Sequence, residues 1–147
     1  MGLLSRLTGK VTPPKTAEDD ALLVHCMLLM CGADGSFDPE EIQTVQAYFA
    51  QVPELKGKNF DTVYQAAVKI LRRYPNLNDS VKALASLTTP ALKQKAFLLA
   101  VDIAMSSGDV DDSEDRMLEA MQRVLELRDD FCQKVIEVLS IKYTKAG

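Results

Sequence analysis

Two acidic turns hold the residues best placed for chemistry. The first is Ala33-Asp34-Gly35-Ser36-Phe37-Asp38-Pro39-Glu40-Glu41, and the second is Ser107-Gly108-Asp109-Val110-Asp111-Asp112-Ser113-Glu114. Gly35, Phe37, Asp38 and Glu41 stand in the same order and spacing as Gly108, Val110, Asp111 and Glu114, so the chain reads as two copies of one helix–acidic turn–helix unit. In the first copy Asp34 ends one helical region, a glycine lets the chain reverse, and Asp38 and Glu41 open the next helix one turn apart. Carboxylates brought that close repel and need a counter-charge. A hard divalent cation, Ca²⁺ or Mg²⁺, takes oxygen ligands of this kind. A lysine or arginine from a partner would serve the same end. The candidate cation ligands are Asp34, Asp38 and Glu41 in the first turn and Asp109, Asp111 and Glu114 in the second.

The turns are not EF-hands. Counting from Asp34, Ser36 and Asp38 fit, but Pro39 stands where that loop needs glycine and Val45 where it needs glutamate. Asp38 with Glu41, and Asp111 with Glu114, also have capping-box spacing, and capping alone accounts for those four residues. It does not account for Asp34, Asp109 or Asp112, and the repetition of the whole pattern favours a function.

The elements that must position these turns are helical. Thr16 followed by Glu18 and Asp19 starts a helix over 17–31, apolar on nearly every side from Ala21 onward. Asp38-Pro39-Glu40-Glu41 starts a second over 39–51, with Ile42, Val45, Tyr48 and Phe49 as its apolar stripe. A third spans 60–74. Asn76 to Asp79 reads as a turn, with Asp79 capping a fourth helix over 80–87. Thr89-Pro90 opens a fifth over 90–106, again apolar on most sides. A sixth runs from Asp112 to about Leu127 and a seventh over 129–143. No stretch alternates with period two, so the expected fold is all-α: about seven helices in two pseudo-symmetric halves around two buried central helices, one and five. Residues 1–16, ending in Val11-Thr12-Pro13-Pro14-Lys15, read as a flexible N-terminal tail, and 17–147 as one domain.

Composition narrows the function. The 147 residues carry a formal charge of −4, against the basic face that general nucleic-acid binding needs, and with no overall attraction to an anionic membrane. No apolar run reaches the ~18 residues of a membrane-spanning helix, and the N-terminus lacks a signal-peptide core. A cytoplasmic protein is expected, with at most peripheral membrane association. Cys26, Cys31 and Cys132 form neither a paired set nor a zinc motif, and read as reduced, buried thiols. His25 reads as a packed, hydrogen-bonded core residue. Asp102, among apolar neighbours, reads either as lying at the solvent edge of helix five, the favoured placement, or as paired with a cation in the interior. Lys82, Lys93, Lys95, Arg72 and Arg73 are placed on a solvated surface. No nucleophile with a base, phosphate-cradling loop or zinc motif is present, so no enzyme is expected.

The motif Ala33-Asp34-Gly35-Ser36-Phe37-Asp38-Pro39-Glu40-Glu41, placed after an apolar helix and returning in a second half, resembles the bacterial tellurite-resistance TerB family over about residues 17–143. Related domains precede some membrane-anchored J-domain co-chaperones. The resemblance implies an all-helical, TerB-like domain whose acidic turns form a divalent-metal site, working with other proteins in the response to tellurite and other stresses. Asp34, Asp38 and Glu41 match the first motif; Gly108, Val110, Asp111 and Glu114 match the second. Ser107 departs from the pattern where a leading aspartate belongs, and Asp109 lies next to the gap. The alternative function is a metal-free interaction domain that docks a basic partner near the membrane. The sequence does not fix the oligomeric state.

Overall fold

The computed structural model describes residues 16–32 and 38–146. The N-terminal tail and the Asp34–Phe37 part of the first turn lie outside the described residues. Among those described there are seven α-helices, two 3-10 segments and no strand. The helices are α1 (Ala17–Cys31), α2 (Pro39–Gln51), α3 (Phe60–Arg72), α4 (Leu77–Ser80), α5 (Pro90–Ser106), α6 (Asp112–Val124) and α7 (Asp129–Tyr143). The 3-10 segments are Pro53–Leu55, after α2, and Val81–Ser86, after α4.

The helix starts follow their capping chemistry. Thr16, Asp38 and Asp111 each accept the N–H of the third helical residue, while Asp19, Glu41 and Glu114 reach back to the cap's own N–H. Thr89 caps α5, with Pro90 at the first position, where its missing N–H costs nothing. Asn59 caps α3.

Two boundaries differ from the sequence reading. The fourth helix starts earlier, capped by Asn76 in place of Asp79, and passes into 3-10 geometry at Val81. Helix α6 ends at Val124 and not near Leu127, because Glu126 takes a left-handed conformation with φ of 55°. A non-glycine residue in that region carries no compositional stop signal.

The core is built on α1 and α5, which pack on each other. Every residue of α1 from Asp19 to Met30 is buried. On α5, Leu92, Ala96, Phe97 and the run Leu99 to Ala104 are buried. The two halves repeat one arrangement: α1 packs on α2 and α3, and α5 packs on α6 and α7. Phe49 meets Phe60 edge to face at 5.2 Å between ring centroids, joining α2 to α3. Phe97 meets Phe131 at 6.5 Å, joining α5 to α7. No described helix is long and apolar enough to cross a membrane.

Polar groups close the frame. Asp19, fully buried, accepts the Thr16 N–H at 2.8 Å, the Thr88 N–H at 3.0 Å and the Thr88 hydroxyl at 2.6 Å. It thereby ties the start of α1 to the segment before α5. The buried His25 ring shares a 2.9 Å hydrogen bond between Nε2 and the Ser80 carbonyl, as its core placement implies. Lys95 departs from the solvated role assigned to it: its Nζ grips the Glu54 carboxylate at 2.6 and 2.7 Å, with both side chains largely covered.

Candidate functional site

The sequence places a reversal between α1 and α2 and another between α5 and α6. Helices α1 and α5 run the same way, their starts tied by Asp19 and Thr88 and their ends, Cys31 and Ser106, lining one cleft. This cleft, of about 350 Å³, is lined by Cys31 at the end of α1, Asp38, Glu41 and Thr44 at the start of α2, Ser106 at the end of α5, and Glu114 in the first turn of α6. Met30 and Ile103 give it an apolar side, and Glu40 stands with the acids along it. Both acidic turns therefore contribute carboxylates to one cleft.

Of the six candidate ligands, Asp38, Glu41 and Glu114 line this cleft. The carboxylate of Asp38 is at the same time an N-cap, accepting the Glu41 N–H at 2.9 Å, while Glu41 Oε2 accepts the Asp38 N–H at 3.3 Å. Asp111 is exposed and occupied as a cap, accepting the Glu114 N–H at 2.8 Å and the Ser113 hydroxyl at 2.7 Å. The Glu114 N–H and that hydroxyl hold Asp111 below the usual carboxylate range. Asp109 is exposed, and its backbone carbonyl accepts the Ser107 hydroxyl at 3.0 Å. Neither Asp109 nor Asp111 lines the cleft. Gly108 sits at φ of 95°, the left-handed conformation that lets the second turn reverse. Asp34 lies outside the described residues. Among the described residues, no three His, Cys, Asp or Glu side chains stand together as a ready metal-holding group.

The field in the cleft is negative, and Cys31 registers it. Burial, joined by the charges of Glu41, Glu114 and Asp38, pushes its thiol up to about 12. Burial does the same to Cys26, also to about 12, and raises Cys132. All three cysteines are free, and each is held as a thiol at neutral pH.

Asp102 takes the second of the two places read from the sequence, not the favoured one. It is buried in place of lying at a solvent edge, with 8% of its surface exposed. Its carboxylate accepts the Tyr48 hydroxyl of α2 at 2.7 Å and the Tyr143 hydroxyl of α7, and pairs with the Lys142 ammonium at 3.2 Å. Burial by itself would raise its pKa, but the hydrogen bonds from Tyr143, Tyr48 and Lys142 outweigh it and hold the carboxyl below the usual range. Its partners come from α2 and α7, more than 35 residues away in either direction, so no local signal announces them.

This arrangement defines a class: an all-helical domain with a duplicated helix–acidic turn–helix unit and one shared acidic cleft. The family described as tellurite resistance protein TerB matches residues 20–136. The chain belongs to that family, and the match takes in α2 through α6 with both acidic turns. No curated protein and no solved structure matches the chain.

Proposed function

We propose that this chain is a non-enzymatic binding module of a bacterial stress-response system linked to tellurite resistance, and that its acidic cleft holds a divalent cation, Ca²⁺ or Mg²⁺. One observation carries the reading: carboxylates from the two turns, Asp38 and Glu41 from the first and Glu114 from the second, line the same cleft. Their oxygens are hard donors suited to such ions, and the side chains of Thr44 and Ser106 add neutral oxygens beside them. Asp38, Glu41 and Glu114 would hold the ion, with Asp34 assigned from the sequence motif alone. Asp111 would act indirectly, fixing the first turn of α6 on which Glu114 stands. A bound cation would offset the repulsion among these acids and join α2 to α6. The module would work in the cytoplasm with other stress-response proteins.

The test is stability against cation. Thermal unfolding in a chelator, then with Ca²⁺ or Mg²⁺ added, reads binding to the native state, which contributes about 2.7 kcal/mol at a free concentration one hundred times Kd. A concentration-dependent rise in Tm supports the reading. Identical curves with and without either ion remove it. A second reading, docking of a basic partner without metal, is favoured by the exposure of Glu40 beside the cleft. It predicts no response to either cation and salt-sensitive binding of a lysine- and arginine-rich partner.

A further inference from the structure

Asp102 is the one carboxylate on α5, and nothing in the proposed function uses it. Its place explains why it is there. Glu41, Thr44 and Tyr48 recur at helical spacing and share one face of α2. The upper two line the cleft, and Tyr48 follows one turn below. On the opposite wall Ser106 lines the cleft, and Asp102 lies one turn before it on α5. The Tyr48–Asp102 hydrogen bond, 2.7 Å long and buried, therefore spans the two walls directly beneath the cleft. From behind, the last turn of α7 supplies Lys142 and the Tyr143 hydroxyl, which keep the carboxylate charged and oriented.

We infer that Asp102 is a positioning residue for the acidic cleft: by accepting the Tyr48 hydroxyl it holds α2 against α5, and so sets the distance between the α2 carboxylates and the α5 wall that carries Ser106, from which the chain turns into α6 and Glu114. What that distance serves rests on the cation reading; the bridge itself does not. A carboxylate fits this task because a hydrogen bond to a charged acceptor is stronger than one between neutral groups, and because it can accept from several directions at once. The alternative role, fastening the end of α7, uses the Tyr143 and Lys142 arms; the Tyr143 hydroxyl also lies 3.2 Å from that of Tyr48, so the Lys142 arm is the one that stands apart from the bridge.

Cys31 supplies the measurement, since it lines the cleft and is half-buried while Cys26 and Cys132 are buried elsewhere. The three thiols are alkylated with N-ethylmaleimide under native conditions and followed separately by peptide mass spectrometry. In Tyr48→Phe, which keeps the ring in the core, Cys31 should react faster by about tenfold, the shift that loss of one hydrogen bond to a charged group produces. Cys26 and Cys132 should keep their rates. Lys142→Met, which removes an α7 arm that does not touch Tyr48, should leave Cys31 near its native rate. The inference is overturned if Cys31 is unchanged in Tyr48→Phe, if all three thiols accelerate together, or if Lys142→Met does as much as Tyr48→Phe. Cation titration of the same proteins separates the two claims. A native chain that ignores Ca²⁺ and Mg²⁺ removes the cation reading, while the alkylation rates still decide the role of Asp102.

Discussion

Asp38 has two roles that chemistry can separate. Its carboxylate caps α2 and lines the cleft. Asparagine keeps a capping oxygen and removes the charge, whereas alanine removes both. Asp38→Asn is therefore expected to leave stability nearly unchanged in urea unfolding, and Asp38→Ala to lose about 1 kcal/mol, while both weaken cation binding. Equal stability of the two variants would show that the cap contributes nothing. At this scale the sequence was an uneven guide. The capping boxes at Thr16, Asp38 and Asp111 were legible because both partners lie within one turn. The burial of Asp102 was not, since a lone acid in an apolar helix reads the same whether it faces water or a distant tyrosine. Asp19 was read as an ordinary first-turn acid, because Thr88 stands 69 residues away.

Among elements, the joint between α1 and the start of α5 depends on that buried Asp19. Asp19→Ala would leave the Thr88 N–H and hydroxyl without their acceptor and break the α1 capping box. A destabilisation of about 2–4 kcal/mol is expected in denaturant unfolding. A cost under about 0.5 kcal/mol, the level of an ordinary surface change, would place Thr88 in contact with water instead. The central pairing of α1 and α5 was readable from their all-round apolar character, which no surface helix can afford. The 3-10 segment Val81–Ser86 and the early end of α6 were not, since neither the change of geometry at Val81 nor the left-handed Glu126 has a glycine or proline to mark it.

The whole molecule should respond to acid in two steps. His25 is buried and its pKa is lowered, mainly by burial and against the Ser80 hydrogen bond. Its folded pKa lies below its unfolded value, so the unfolded chain binds the proton first. Stability is full above the unfolded value near 6.5 and declines as pH falls from there toward the folded pKa. Asp19 and Asp102 are also lowered, against the opposing effect of burial, by their hydrogen bonds. Their contribution is present above the ordinary carboxylate value of 3.8 and is lost as pH falls through their folded values. Chemical denaturation across pH 7 to 3 should show both declines. His25→Gln, which keeps an N–H donor and does not titrate, should remove the upper decline and leave the lower one. An upper decline that persists in His25→Gln would assign it to another group.

At this scale the duplication of the acidic turns was legible from spacing alone. That the turns share one cleft was not legible, because it depends on how α1 and α5 pack. The central claim is that they act as one site. Calorimetric titration of Ca²⁺ and Mg²⁺ into the native chain, Glu41→Gln, Glu114→Gln and the double variant tests it most directly. The account expects saturable binding in the native chain, weakened about tenfold or more by either single change, with the two effects not adding in the double because the residues share a ligand. Native affinity retained in Glu114→Gln, or two losses that simply add, would contradict it.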